Sequence, residues 1–203
     1  MTFEGGEGAG KSTQIKALAE YLRVRGIDVQ MTREPGGSEN AEKIRQLLVE
    51  GDVERWDPIA ETLLHMAARR AHLTDLVEPA LREGRWILCD RFADSTEAYQ
   101  GYGQGVDREF IAYLRARVVG DFEPDLTSLL DIAVERGLRR ALSRGGAARY
   151  EQMDTSMHER IRAGFLEMAR NQADRFVIVN ADRPIEVIET EIRNCIDRRF
   201  GLN

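Results

Sequence analysis

Short apolar runs alternate with longer stretches of helical periodicity along this chain. Such alternation is typical of repeated strand–helix–strand units, which build a parallel sheet covered by helices. The apolar runs predict strands at residues 1–4, 27–32, 86–90, 126–131 and 176–180. The periodic stretches predict helices at residues 11–25, 38–49, 58–81, 107–119, 134–143, 156–174 and 184–198. We therefore expect an α/β fold in which helices flank a five-stranded parallel sheet.

Two prolines bear on the long predicted helix at residues 58–81. Asp57 followed by Pro58 predicts its start, because an Asp side chain accepts hydrogen bonds from the first turn and proline is favoured at the first helical position. Pro79 has no backbone N–H and crowds the preceding turn, so it predicts that the helix kinks or ends there.

Composition limits which binding partners and which cellular compartment are expected. The 203 residues suit one domain spanning 1–203. A net charge of −6 disfavours nucleic acid and anionic membranes, which attract basic surfaces. The sequence contains no apolar run of the ~20 residues that a membrane helix needs, and no segment typical of a signal peptide. Since Cys89 and Cys195 are its only cysteines, we expect a reduced, cytoplasmic protein.

A glycine-rich loop lies between the first predicted strand and the first predicted helix. It fits the phosphate-loop pattern G-x-x-x-x-G-K-[ST], with the residues Gly5, Gly6, Glu7, Gly8, Ala9, Gly10, Lys11 and Ser12, followed by Thr13. Glycines let backbone N–H groups wrap closely around phosphates, and the helix N-terminus adds positive potential. We expect Lys11 to bridge the β- and γ-phosphates of a nucleoside triphosphate, and Ser12 to ligate Mg²⁺.

The loop alone leaves the reaction open, because ATPases, GTPases and kinases share it. GTPases usually carry an N-K-x-D motif, and this sequence has no Asn-Lys pair. The predicted strand at 86–90 ends in Asp90, which is followed by Arg91. An Asp at the carboxyl end of a parallel strand faces the phosphate crevice and is suited to the magnesium shell. The adjacent arginine offers a bidentate phosphate donor.

Segments spread over essentially the whole chain resemble the bacterial thymidylate kinase family. In order, they are residues 3–13 (FEGGEGAGKST), 32–37 (TREPGG), 67–69 (AAR), 90–92 (DRF), 95–101 (STEAYQG) and 120–126 (GDFEPDL). The resemblance implies a P-loop kinase fold and a homodimeric, Mg²⁺-dependent enzyme. Such an enzyme converts ATP and dTMP into ADP and dTDP, a step of dTTP synthesis.

The same resemblance implies roles for individual residues. Glu7 addresses the sugar 3′-hydroxyl, Arg33 and Arg91 hold the acceptor phosphate, and Tyr99 closes over the sugar. Gln100 is a neighbour without a defined role. For the base, Pro35 packs near the thymine, Arg69 donates to a carbonyl, and Thr96 faces the ring N3–H. Among these residues we expect Lys11, Arg91 and Glu7 to be catalytic. We expect Ser12 and Asp90 to be the metal ligands.

His65 departs from the family pattern, which usually has a Phe that stacks on the thymine. It lies four residues before Arg69 and therefore on the same helix face. An imidazole offers less apolar area and needs hydrogen-bond partners of its own. The substitution bears on how tightly the base is held and on which base is preferred.

Residues 143–152 form a glycine- and alanine-rich stretch between two predicted helices, which indicates a short mobile lid. They resemble the lid of the thymidylate kinases that carry their catalytic arginine there. In keeping with this, Gly8 occupies the loop position where the other type has an arginine. Arg149 is the expected catalytic residue, with Arg144 as the alternative.

Two other functions stay open at this point. A deoxynucleoside kinase phosphorylates a hydroxyl, and Glu7 could serve as its base; another nucleoside monophosphate kinase would differ only in the base it reads. A P-loop switch or regulatory ATPase would bind nucleotide without any acceptor. The arginines at 33, 69 and 91 favour a phosphorylated acceptor.

Overall fold

The computed structural model describes residues 1–52, 54–143 and 149–202. Within these ranges a five-stranded parallel sheet has the order β2-β3-β1-β4-β5, which confirms the predicted architecture. Its strands are β1 (Thr2–Glu4), β2 (Val29–Arg33), β3 (Trp86–Asp90), β4 (Thr127–Asp131) and β5 (Phe176–Asn180). The bounds of β3 and β5 are those predicted from their apolar runs.

Helices cover both faces of this sheet. They are α1 (Lys11–Val24), α2 (Glu39–Val49), α3 (Pro58–His72), α4 (Glu78–Arg82), α5 (Ala93–Thr96), α6 (Arg108–Val118), α7 (Val134–Leu142), α8 (Thr155–Asn171) and α9 (Ile185–Phe200). Helix α3 begins as predicted, since Asp57 Oδ1 accepts from the backbone N–H of Ile59 at 2.9 Å and of Ala60 at 3.2 Å. Of the helices in the described ranges, none is long and apolar enough to cross a membrane.

Pro79 changes the helix without ending it. After α3 the chain forms a π-helical turn, Leu73–Val77, and then continues as α4. The backbone N–H of Glu78 donates to the carbonyl of Leu73, five residues back. Because Pro79 cannot donate and its ring crowds the preceding carbonyls, a wider turn before it lets the helix proceed.

The segment after β3 was not predicted as helix. It forms α5 and then a π-helix, Glu97–Gly103. Nearly every residue here is buried, so the amphipathic period that reveals a surface helix is missing. A Cβ on Gly103 would come within 2.9 Å of Ile161 Cγ1, which shows that the glycine permits close packing against α8.

The main core lies between the sheet and helices α1 and α9, with Phe3 and Leu88 among its buried strand residues. Phe3 of β1 and Arg33 of β2 both pair in register with Asp90 of β3. The carboxyl ends of these three neighbouring strands therefore meet at one edge. In open α/β sheets this edge is where ligands bind.

Candidate active site

The phosphate loop leaves the end of β1 and enters α1 at Lys11. Gly8 adopts φ +68°, and a Cβ there would lie 1.9 Å from the carbonyl oxygen of Gly137, so only glycine lets the loop pack on α7. The Lys11 side chain folds inward, where Nζ donates to the carbonyls of Gly5 at 3.1 Å and Gly6 at 3.0 Å. Burial, followed by the nearby Arg91, lowers the pKa of Lys11. The ammonium group is thus held against the loop's own carbonyls, and its bridging of the β- and γ-phosphates stays a prediction.

Ser12 and Asp90 come together beside the loop, with Ser12 Oγ donating to Asp90 Oδ2 at 2.8 Å. A hydroxyl and a carboxylate oxygen are donors that Mg²⁺ accepts, usually with waters and substrate phosphates completing its shell. In the described part of the chain no group of three or more His, Cys, Asp or Glu forms a metal cage. The pair therefore fits Mg²⁺ bound together with a nucleotide rather than by protein alone.

A cavity in front of the loop collects positive side chains. Its lining includes Lys11, Arg33, Arg45 and Arg91, together with the carboxylates of Glu7, Glu34 and Asp90. Arg33 also pairs with Glu42 at 2.8 Å and is half exposed. Arg45 was not predicted; its Nη1 donates to the Pro35 carbonyl at 2.7 Å. Four cations around one cavity indicate a site for several phosphate groups.

Arg91 lies at the junction between this cavity and a second one, which Glu7, Glu34 and Arg45 also line. Its Nη2 donates to Glu7 Oε1 and to the Tyr99 hydroxyl, both at 2.8 Å, and its Nη1 donates to the Gly5 carbonyl at 3.0 Å. The Tyr99 hydroxyl also donates to Glu7 Oε1 at 2.7 Å. Burial would raise the pKa of Glu7, but Arg91 and Lys11 outweigh it and hold that pKa at about 2. Glu7 is therefore an ionised acceptor at neutral pH.

Glu4 forms hydrogen bonds with the residues that follow Arg91. Its Oε1 accepts from the backbone N–H of Phe92 at 2.7 Å, and its Oε2 lies 2.6 Å from Ser95 Oγ. Ser95 Oγ in turn accepts from Arg91 Nη1 at 3.3 Å. Burial, with Asp94 nearby, raises the pKa of Glu4 to about 8. Burial thus disfavours the charged form of this carboxyl group.

The second cavity brings together the residues assigned to the sugar and base, together with Arg91, which was assigned to the phosphate, and Gln100, which had no defined role. Among the residues that line it are Glu7, Pro35, His65, Arg69, Arg91, Thr96, Tyr99 and Gln100, whereas Arg33 lines the cavity in front of the loop. They come from the loop, the turn after β2, helix α3, and the α5 and π-helical segment. Residues from such distant parts of the chain thus converge on one space, and its role as the acceptor pocket stays a prediction.

Arg69 is fixed by a buried carboxylate that the sequence did not single out as part of the site. Its Nε donates to Glu34 Oε2 at 2.7 Å, and its Nη2 donates to the Phe92 carbonyl at 3.0 Å. The other oxygen of Glu34 lies 3.0 Å from His72 Nδ1. The remaining nitrogen, Nη1, contacts only the sulfur of Met66 at 3.7 Å among the contacts described. Arg69 therefore keeps a donor for a ligand in the cavity.

Thr96 and His65 differ in how their polar atoms are satisfied. Thr96 is 1% exposed, and in the described residues Oγ1 has no hydrogen-bond partner. His65 Nε2 lies 2.9 Å from the Tyr150 hydroxyl, and burial, with Arg69 nearby, lowers the pKa of His65 to about 3. A neutral imidazole and an unpaired buried hydroxyl thus border the cavity. Such an orphaned group is typical of a site that pairs with its ligand.

Arg149 does not line either of these two cavities as the structure describes them. The side chain is buried, and Nη1 contacts Glu61 Oε2 at 2.5 Å. The guanidinium of Arg149 therefore does not lie at the phosphate loop as expected, because it forms an ion pair with Glu61 of α3. Its catalytic role stays a prediction that requires this ion pair to open. Residues 144–148 of the predicted lid, Arg144 included, lie outside the described residues.

A phosphate loop that shares an arginine with a second pocket is the arrangement of P-loop kinases that act on small acceptors. The fold and the site define this class. The family model described as thymidylate kinase matches residues 3–192. The chain is 51% identical over 202 residues to a thymidylate kinase of Caulobacter vibrioides, covering 100% of this chain and 97% of the relative. The chain belongs to the thymidylate kinase family.

Other relatives agree with this assignment. A thymidylate kinase of Ruegeria pomeroyi is 48% identical over 197 residues, with coverage of 97% and 93%. The crystal structure of thymidylate kinase from Ehrlichia chaffeensis superposes with a TM-score of 0.80 at 32% identity, covering 96% of each chain.

Proposed function

We propose that the protein transfers the γ-phosphate of ATP to the phosphate of dTMP, giving ADP and dTDP for dTTP synthesis. The observation that carries this proposal is the junction at Arg91, where the phosphate-loop cavity meets the base cavity. A donor held on the loop and an acceptor held in the pocket would direct their phosphates toward the same guanidinium. Holding two reactants together in this way is itself a large part of phosphoryl transfer catalysis.

The cations around the junction are suited to the charge that the reaction concentrates. Two phosphate chains repel each other, and the transferring group spreads negative charge over its equatorial oxygens. Lys11 and Arg91 neutralise this charge from the loop side, and Arg33 and Arg45 from the side of β2 and α2. Mg²⁺ bound by Ser12 and Asp90 would supply further neutralisation of the donor phosphates.

The base cavity provides groups that match the edge of thymine. Arg69 offers N–H donors for a ring carbonyl, and Thr96 Oγ1 is able to accept from the ring N3–H. Glu7, as an ionised acceptor, suits the sugar 3′-hydroxyl, and the Tyr99 ring limits the space beside the sugar. A pocket of buried polar groups rejects a base that leaves them unpaired.

Particular features of the site argue against the two alternative functions. A deoxynucleoside kinase needs a carboxylate base, and Glu7, with a pKa of about 2 and Arg91 at 2.8 Å, is a weak one. A P-loop switch or ATPase would not need a second polar cavity. Selectivity for dTMP over other monophosphates rests on the base-edge groups.

Homodimer formation is also part of the proposal. Apolar side chains on α3 and on helices α2 and α6, which each pack against α3, are between 39% and 57% exposed, namely Leu47, Ile59, Leu63 and Tyr113. Exposed apolar surface of this kind is typical of subunit interfaces. In sedimentation equilibrium the protein should behave as a dimer, and Leu63→Glu should shift it to monomer. The cytoplasmic location expected from the sequence stays a prediction.

A coupled ADP-release assay with dTMP, dUMP, dCMP, AMP and thymidine tests the proposal. We expect turnover that depends on the acceptor and is fastest with dTMP. Turnover with thymidine but not dTMP would favour a nucleoside kinase. ADP release that ignores every acceptor would favour an ATPase.

A further inference from the structure

Glu61 is a fully buried carboxylate on α3, one helical turn before His65 and on the same face. Four side-chain donors converge on it from two other segments. They are Arg149 Nη1 at 2.5 Å, Gln100 Nε2 at 2.8 Å, Gln104 Nε2 at 2.9 Å and the Tyr150 hydroxyl at 3.0 Å. An ionised carboxylate only accepts hydrogen bonds, so it suits four donors. Glu61 thereby ties the π-helical segment and the turn Arg149–Gln152 to α3.

Arg149, the positively charged donor, is held by backbone carbonyls as well as by Glu61. Besides Glu61, its Nε donates to the Asp52 carbonyl at 3.0 Å, and its Nη1 contacts the Leu48 carbonyl at 3.4 Å. Leu48 lies in the last turn of α2, where carbonyls lack helical partners and a cation is favoured. Withdrawing Arg149 would leave Glu61 buried without this charge, and uncompensated buried charges are strongly destabilising.

The two charged residues reach the base cavity only through their neighbours. Neither Glu61 nor Arg149 lines that cavity, whereas Gln100 and Tyr150 do. Since the Tyr150 hydroxyl donates to Glu61, its oxygen is left to accept from His65 Nε2 at 2.9 Å. The Tyr150 ring also meets Tyr99 edge-on, with centroids 5.6 Å apart. The position of three cavity side chains thus depends on the Glu61 carboxylate.

We propose that Glu61 and Arg149 are positioning residues whose buried ion pair holds Tyr150, Gln100 and His65 in the shape that reads the nucleoside monophosphate. This inference rests on the proposed function and assigns specificity to a pair outside the pocket. It also gives Arg149 a role different from that of a catalytic lid arginine. The pair sets acceptor affinity and base selectivity, and the rate of phosphoryl transfer depends on it little.

The test compares Glu61→Gln, Arg149→Ala and their double variant with the wild type. Calorimetry gives the dissociation constant of the monophosphate that the wild type binds most tightly, and steady-state kinetics give kcat and both KM values. Arg175→Gln is the matched control, because Arg175 forms a comparably buried ion pair with Asp94 and lines neither cavity. Tyr150→Phe, which loses only the hydroxyl, is the milder variant if a charge change prevents folding.

Each single charge change should weaken monophosphate binding by roughly 10-fold or more, with kcat changed less than about 3-fold and KM for ATP unchanged. The double variant should bind the monophosphate no more weakly than the worse single variant, because both single changes disrupt the same ion pair. Tyr150→Phe should weaken binding by about 5- to 10-fold. The preference for dTMP over dCMP should fall in all four variants.

Other results would overturn the inference. If Arg149→Ala lowered kcat by about 10³- to 10⁵-fold with binding intact, Arg149 would be a catalytic arginine. If Arg175→Gln weakened binding as much as Glu61→Gln, loss of any buried pair would suffice and the pair would have no special role. Failure of the proposed function would look different, because the wild type would then bind the monophosphate without transferring phosphate to dTMP. The dissociation constants of the variants would still test the role of the ion pair.

Discussion

Thr96→Val is expected to stabilise the free protein while weakening dTMP binding. The Thr96 hydroxyl is buried at 1% exposure and has no partner in the described residues. Valine has nearly the same shape but no hydroxyl. The substitution therefore removes an unsatisfied polar group from the free state, and it removes the ligand's partner from the bound state.

The magnitude follows from the cost of an unpaired buried polar group, which is about 1–3 kcal/mol. Part of this cost disappears in the variant, so the free energy of unfolding without ligand should rise by roughly 1 kcal/mol. In the complex, the acceptor for the ring N–H is lost. At 1.36 kcal/mol per factor of ten, a loss of 1–3 kcal/mol corresponds to a dissociation constant for dTMP about 5- to 150-fold higher.

Urea unfolding without ligand and calorimetric titration with dTMP measure the two effects. Thr62→Val is the matched control, because Thr62 is equally buried but its hydroxyl donates to the Pro58 carbonyl at 2.7 Å. That variant should lose stability or stay neutral and should bind dTMP normally. A less stable Thr96→Val protein with unchanged dTMP affinity would refute the assignment of Thr96 to the base.

Three further outcomes follow from the site. Lys11→Ala should lower kcat by roughly 10²-fold or more with an unchanged thermal unfolding midpoint, and near-normal turnover would contradict the phosphate-loop role. Because burial raises the pKa of Glu4 from 4.5 to about 8, the native state binds this proton more tightly than the unfolded state, and stability falls as pH rises through that window. Glu4→Gln removes this loss, so urea unfolding should show the variant gaining on the wild type between pH 5 and 8.5; a pH-independent difference would argue against the raised pKa. His65→Phe should keep or improve dTMP affinity by calorimetry, because phenylalanine adds apolar stacking area and the Tyr150 hydroxyl keeps its bond to Glu61; a large loss would make the bond between His65 and Tyr150 essential.

The sheet and the loop were predictable because their signals are local. The apolar run at Trp86–Asp90 and the glycine pattern before Lys11 each depend on a few consecutive residues. The long helix predicted at residues 58–81 runs from Pro58 to Arg82 as α3, a π-helical turn and α4. What the sequence did not predict is the π-helical turn that accommodates Pro79. The buried segment α5 has no exposed face, and so no period that could reveal it.

The buried ion pairs of the site could not be read from the sequence. Glu34 and Arg69 are 35 residues apart, and Glu61 and Arg149 are 88 apart. Nothing in the local pattern around Glu61 distinguishes it from a solvated helix residue, because burial is decided by the packing of distant segments. The resemblance to a family supplied the pocket-lining residues, whereas the residues that position them emerged only from the structure.

Transfer of a labelled γ-phosphate tests the central claim most directly. ATP labelled at the γ-phosphate is incubated with the protein, Mg²⁺ and dTMP, and the products are separated by chromatography. We expect the label in dTDP, with little inorganic phosphate, and dTDP formation by Lys11→Ala slower by roughly 10²-fold or more. Label released as inorganic phosphate at the same rate with and without dTMP would contradict the proposed reaction.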